Sequence, residues 1–477
     1  MYVGLVIGYI NTVFLFPYIL SIEEYGLFRL IIDSGVFLSL IFAFGASNAL
    51  MKFFPEFRGK SEQRLFYSLL MILLISSFIQ MGLANFLSEE FTEFIFKSSG
   101  RFHEFFDVVL IFALLFSVNT FLENYLKTYM EVEIPVFMQS IGFRVLLLSL
   151  GFIYFFGWVT IDVFLQGIFI VMACYLVITF FFFTQKKDFS FTPFKIINID
   201  SFKKIINYSA YMFMGASGMM VVGKIDSLMV GREIGLEATA IYAVAFFIAV
   251  TIEMPKRILS QLLLPIISNA FNRNDFVEVA SLYRKSATNQ LLIGMLIFIL
   301  IWSNIDDFFN LIPKDAFEKG KYVTLIIGIL KLFNMSLGIN NEIISYSSLY
   351  RWYTYFLAIL IFFTIGSNLI LIPMYGLEGA AIATFLSVGI FNVLKVVLIR
   401  LKLNMHPFEK NQLTIIFIGI LLSLLYFIPL PFHSIISIAI KSLFILIIYC
   451  FSMYFLNVST DANEWINKHI KLLKSKI

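Results

Sequence analysis

Only two of the 477 residues are cysteine, Cys174 and Cys450, too few for a disulfide framework or a cysteine-based metal site. Histidine is nearly as scarce, and His103, His406, His433 and His469 are too scattered to form a ligand cluster. Charge is short as well. Charged residues make up 14% of the chain against 60% hydrophobic, and the mean hydropathy of +0.89 exceeds what a soluble core absorbs. No nucleotide-binding P-loop occurs, which argues against direct ATP drive. A membrane glycosyltransferase, polymerase or ligase would ordinarily carry catalytic Arg, His or carboxylates on a large outer loop, and the longest such stretches here, 88–107 and 303–321, are small. The chain therefore reads as a non-enzyme with no catalytic residue, metal or cofactor.

What is present is apolar sequence nearly end to end. A helix needs about 20 mainly apolar residues to cross the hydrocarbon core. Runs of that kind fall near 3–20, 29–50, 65–87, 108–128, 135–156, 163–183, 209–230, 240–262, 286–303, 322–344, 353–372, 378–399, 412–430 and 435–456. The expected fold is all-α and polytopic, with about 14 transmembrane helices. Met1–Leu20 has no basic n-region and no small-residue cleavage site, so it reads as a retained first helix. Both cysteines fall inside apolar runs and read as packing residues. Most of the 58 Phe and 22 Tyr are assigned to packing and to lipid.

Lysine and arginine set the orientation, because basic loops stay cytoplasmic. With the N-terminus inside, the cytoplasmic segments carry 23 of the 35 basic residues and the opposite loops 7, leaving Arg144, Lys224, Lys331, Lys395 and Lys441 within spans. Both termini are expected in the cytoplasm. The net charge of +4 is mostly this topological signal and gives no reason to invoke nucleic acid.

The longest basic connection, 185–204, follows the sixth run, and beyond it the opening of the chain recurs. Gly8, Asn11-Thr12, a loop with Glu23-Glu24 and then Tyr25 are matched by Gly223, Asp226-Ser227, a loop with Glu237 and then Tyr242. Such a repeat implies two six-helix halves of like orientation, as in transporters that rock about a substrate site. The expected organisation is an N-terminal lobe at 1–190, a second lobe at 191–405, and an appendage at 406–477 comprising helices thirteen and fourteen and a cytoplasmic tail.

The segment NLILIPMYGLEGAAIATFLS, residues 368–387, resembles the eleventh-to-twelfth-helix signature of the polysaccharide biosynthesis flippases, the Wzx-type branch of the multidrug/oligosaccharidyl-lipid/polysaccharide (MOP) exporter superfamily. EEYGLFRLI at 23–31 resembles that family's first loop, and KIDSLMVG with AIYAVA resembles its seventh-helix region. The resemblance implies MATE/MOP-like architecture. The implied activity is translocation, by alternating access, of an undecaprenyl-pyrophosphate-linked oligosaccharide repeat unit for O-antigen, capsule or exopolysaccharide. It also implies a bacterial cytoplasmic membrane location, with membrane lipids, a polysaccharide polymerase and chain-length machinery as partners. Within the motif, Pro373 is expected to end helix eleven, Gly376 to turn, and Gly379, Ala380, Ala381 and Ala383 to let helix twelve approach a neighbour.

An ionisable group at the bilayer centre costs about 2.5 to 3.5 kcal/mol even on the lenient insertion scale, so each such group should face a cavity or a partner. Arg144 and Lys331, one from each half, are the candidate substrate-binding cations, with Lys224 a third; a central cavity would let them attract pyrophosphate or acidic sugars. Asp33, Asp226, Glu253 and Glu342 are the candidates for H+ or Na+ coupling. Lys331 and Glu342 are eleven apart, which in one straight helix puts them near the same face. Lys224 and Asp226, two apart, should point to different faces. Glu253 with Arg257, and Glu123 with Lys127, have ion-pair spacing. Interhelical salt bridging stands beside a lumenal role for all of these. Competing functions are a lipid II or teichoic-type flippase and a MATE-like cation-coupled drug antiporter, the latter needing an acidic cavity.

Overall fold

The computed structural model describes residues 2–59, 62–86, 100–129, 131–185, 197–216, 218–461, 463–464 and 467–468. Most of the outer stretch 88–107, most of the basic connection 185–204, and His469 lie outside the described residues. Every regular element among the described residues is helical. Among the described residues ten helices are long and apolar enough to cross a bilayer, or eleven if the bent pair Asp315–Ser336 and Asn340–Tyr346 is one span. The chain is a multi-pass membrane protein.

The difference from fourteen has identifiable causes. The runs at 353–372 and 378–399 are two helices joined at a kink, at Gly376, within Arg351–Leu403; the first run yields only the short apolar helix Val6–Ile19; and the run at 209–230 is shared between Ile199–Ala216 and Gly218–Glu233. Pro373 does not end its helix. The backbone breaks three residues later, at Gly376, whose φ of 60° and ψ of −132° suit a residue without a Cβ. Gly379 then sits so close to the Leu371 carbonyl that a Cβ would lie 2.0 Å from its oxygen, while Ala380, Ala381 and Ala383 are fully buried.

By contacts the chain divides into two compact units, one of Met1–Ala243 with Asn368–Ala380 and one of Val244–Ser367 with Ala381–Ile477. In the first, helix Ile22–Ala43 begins at a capping box. The Ser21 hydroxyl accepts from Glu24 N–H while the Glu24 carboxylate accepts from Ser21 N–H, satisfying two donors that a helix start leaves open. This helix packs on Phe106–Thr128 and on Gly218–Glu233, and Phe106–Thr128 packs in turn on Ile161–Thr184. Aromatic rings fill the interior, with Phe66 centred 4.9 to 5.4 Å from Phe121, Tyr125 and Phe183. In the second unit, helix Phe276–Trp302 is the hub against Met254–Asn272, Lys321–Ser336 and Lys410–Ser423.

Large side chains such as Phe78, Phe156, Phe362 and Phe417 stand exposed on the helices, the surface lipid would cover. Cys174 and Cys450 belong to that exposed surface, which corrects their assignment to packing. Their thiols lie on outward faces of Ile161–Thr184 and Ser434–Phe455.

Candidate functional site

In the first unit, Asp33 is buried on helix Ile22–Ala43 and meets helix Gly218–Glu233. Lys224 Nζ lies 2.5 Å from Asp33 Oδ1, Ser227 Oγ donates to Oδ2 at 2.9 Å, and Arg29 approaches at 3.5 Å. Lys224 and Ser227, three apart, share one helical face, so a single carboxylate gathers both. Asp226 takes different partners: Tyr242 donates its hydroxyl at 3.2 Å and Asn368 its amide at 2.8 Å. Two residues along a helix do point apart, and Lys224 and Asp226 accordingly serve separate clusters.

The repeat noticed in the sequence has a structural counterpart. Tyr25 donates its hydroxyl to the Thr12 carbonyl at 2.8 Å, as Tyr242 donates to Asp226. Both tyrosines lie in the first unit, and each returns to the small polar pair that follows a glycine.

Arg144 is held along the first apolar helix. Its Nη1 donates to the Gly4 carbonyl, its own carbonyl accepts from Asn11 Nδ2 at 3.0 Å, and Gly8 gives it room, since a Cβ there would lie 2.7 Å from the guanidinium carbon.

The second unit carries the densest charge cluster. Lys331 pairs with Glu253 at 2.9 Å and lies 5.8 Å from the Phe246 ring centre. Glu253 therefore takes Lys331 as its close partner in place of the expected Arg257. Lys256 is buried and donates to the Asn334 carbonyl at 2.7 Å; the Asn334 side chain in turn accepts from Asn392. Lys395, 2% exposed, donates to Asn341 Oδ1 at 2.6 Å and stands 4.3 Å over the Phe391 ring. Glu342 lies within Coulombic reach of Lys256 and Lys395, and its Oε2 is buried without a hydrogen-bond partner among the described residues.

Lys331 and Glu342 are not on one straight helix. The chain bends by 50° between Ser336 and Asn340, turning through Gly338 at φ 56°, so the eleven-residue spacing does not set their separation. Glu123 likewise departs from its expected ion pair. It accepts from Asn119, Gln139 and Tyr175, while Lys127 turns to Asn124 at 3.5 Å. Lys441, isolated in sequence, reaches Asp307 at 3.5 Å.

Lys256 falls within the apolar run at 240–262, whose helix extends further than that run. The helix in fact continues from Leu236 to Asn272, because Pro255 falls in the first turn of Met254–Asn272, where its missing N–H costs nothing. Lys395 was visible as an in-span cation, but its amide partner Asn341 comes from another segment and carries no local signal.

The model of the polysaccharide biosynthesis protein family matches residues 2–271, more than half of the sequence. The chain belongs to that family. An uncharacterized membrane protein of Methanocaldococcus jannaschii is 24% identical over 473 residues, covering 91% of this chain and 88% of its own length. Among solved structures, the lipid II flippase MurJ in an inward closed conformation superposes with a TM-score of 0.74 at 17% identity, covering 95% of this chain and 97% of its own. An inward-facing multidrug resistance MATE family transporter of the MOP superfamily gives 0.63 at 12% identity over 82% and 95%. At these identities the likeness is one of fold. The chain thus shares its fold with the MurJ flippase and with that MATE transporter.

Proposed function

We propose that this chain is a flippase for oligosaccharide repeat units linked to undecaprenyl pyrophosphate, working by alternating access in a bacterial cytoplasmic membrane with both termini inside. The observation that carries the reading is the sign of the charge inside the second unit. Lys256, Lys331 and Lys395 are gathered with two carboxylates, Glu253 and Glu342, and among the described residues neither Lys256 nor Lys395 is spent on a salt bridge. Three lysines set among two carboxylates suit a pyrophosphate or acidic sugar and disfavour the cationic substrate of a drug antiporter. The glycan itself needs such help, since each hydroxyl taken unpaired into hydrocarbon costs about 4 to 8 kcal/mol on a cyclohexane scale.

In this reading Lys331 and Arg144 attract the anionic headgroup, with Lys224 in support, and Asp33, Asp226, Glu253 and Glu342 couple transport to H+ or Na+. The deciding experiment is complementation of a flippase-deficient strain that makes a defined repeat unit. Export should be restored, Arg144→Ala should abolish it at wild-type abundance, Lys331→Ala should abolish it too, and Arg144→Lys should rescue only in part, because a point charge replaces a planar fork. Normal export by both alanine variants would sink the assignment of those two residues. Rescue of a lipid II flippase depletion, without rescue of the oligosaccharide strain, would instead favour the lipid II alternative.

A further inference from the structure

The first unit contains a cavity of about 590 Å³ that none of the roles above uses. Helices Ile22–Ala43 and Phe106–Thr128 form much of its wall. Along the second of these, Asn119, Glu123 and Lys127 all line the cavity at four-residue intervals, hence as one stripe. Glu123 is 1% exposed and its carboxylate is held by Asn119 Nδ2 at 2.9 Å, by Tyr175 and by Gln139. Gln139 reaches it from a π-helical segment, Met138–Gly142, a departure from regular spacing that recurs at functional sites.

Those bonds leave two buried oxygens of the lining, Asn119 Oδ1 and Ser47 Oγ, without partners among the described residues. The asparagine cannot correct this by turning over, because its nitrogen is committed to the Glu123 carboxylate and the flip would set oxygen against oxygen. Buried acceptors in this condition call for a donor.

Size and charge limit what that donor is. The volume is on the scale of organic ligand pockets and far exceeds what a bare ion fills. Lys127 shares the lining with Glu123, so the stripe is balanced and favours neither a cation nor an anion. Phe116 and Phe143 add apolar ring faces. Hydroxyl donors on a partly apolar ring are the chemistry of a sugar.

We propose that this cavity is a binding subsite for one uncharged sugar unit. Hydroxyls of the sugar donate to Asn119 Oδ1 and Ser47 Oγ, and its ring lies against Phe116 or Phe143. The source of the sugar rests on the glycan-transport reading above; the site rests on the cavity alone.

The test is saturation-transfer NMR on the purified full chain in nanodiscs, with glucose, galactose and N-acetylglucosamine as probes and tetramethylammonium as the cationic control. Transfer is expected to at least one sugar, falling about fivefold in Asn119→Ala and in Ser47→Ala, the effect of one lost hydrogen bond, and unchanged in Cys450→Ala, an exposed position of the second unit. Ser47→Ala removes only a hydroxyl, so it keeps the test decisive should Asn119→Ala fail to fold. Transfer to no sugar, transfer indifferent to both variants, or transfer to tetramethylammonium that Asn119→Ala abolishes would each overturn the subsite. Complementation separates this from the transport reading. Sugar transfer without export removes that reading and leaves the subsite; export without sugar transfer removes only the subsite.

Discussion

Glu123 in the first unit and Lys395 in the second are both nearly sealed, at 1% and 2% exposure, and neither forms a salt bridge among the described residues. Glu123 is surrounded by neutral donors, from Asn119, Gln139 and Tyr175, whereas Lys395 donates a hydrogen bond to a neutral amide oxygen and rests on an aromatic face. Each unit therefore buries a charge of opposite sign and satisfies it without an ion pair. The comparison shows why counting charges along the sequence does not locate function. What matters is which charges are cancelled locally, as Asp33 is by Lys224 and Glu253 is by Lys331, and which are only solvated by protein dipoles.

The sharpest way to separate cancelled from solvated charge is to break the Glu253–Lys331 pair. The pair is partly buried, so removing one partner leaves the other uncompensated with a loss at the low end of the about 3 to 5 kcal/mol of a fully buried pair, while replacing both by apolar groups is far milder. Glu253→Ala should thus lower stability by about 3 kcal/mol, and Glu253→Ala combined with Lys331→Met should recover most of it. Equal losses in the single and double variants, measured by reversible unfolding in micelles, would mean that the 2.9 Å contact does not couple the two groups.

Next in size is the direct contrast between the solvated charges. Glu123→Ala orphans three donors and should cost about 2 to 3 kcal/mol, whereas Lys395→Met orphans one acceptor and removes a costly buried ammonium, for a loss of about 1 kcal/mol or less. If Lys395→Met is the more damaging, then the lysine is anchored by more than Asn341 and the ring.

Much of the fold was legible because hydropathy reports a bilayer directly. Runs such as 163–183 and 435–456 became the helices Ile161–Thr184 and Ser434–Phe455 nearly to the residue. The breaks were less legible, since Pro373 carries the stronger helix-breaking signal and yet the chain turns at Gly376, where a left-handed φ is needed. The site was legible as a set of residues but not as pairings. Asp33 and Lys224 are 191 positions apart, and no local spacing announces their contact. Gln139 escaped because a π-helical turn shifts the register by one residue, which periodicity at 3.6 cannot register.

The smallest effect tests the internal repeat. Tyr25 and Tyr242 are both buried, and each returns its hydroxyl to the corresponding polar pair, but the acceptors differ in what else they have. Residues Ile10–Leu15 form a π-helix in which Phe16 N–H bonds to the Asn11 carbonyl. By the same pattern the Thr12 carbonyl would take its bond from residue 17, which is proline and has no N–H. The Tyr25 hydroxyl fills that gap, so Tyr25→Phe leaves a buried carbonyl orphaned and should cost about 2 kcal/mol. Asp226 keeps the Asn368 amide at 2.8 Å when Tyr242 is lost, so Tyr242→Phe should cost about 1 kcal/mol, within the range of side-chain hydrogen bonds in membrane proteins. Unfolding midpoints of the two variants decide it. A larger loss from Tyr242→Phe would show that the two tyrosines do unlike work, and that the likeness of the two halves ends at their sequence.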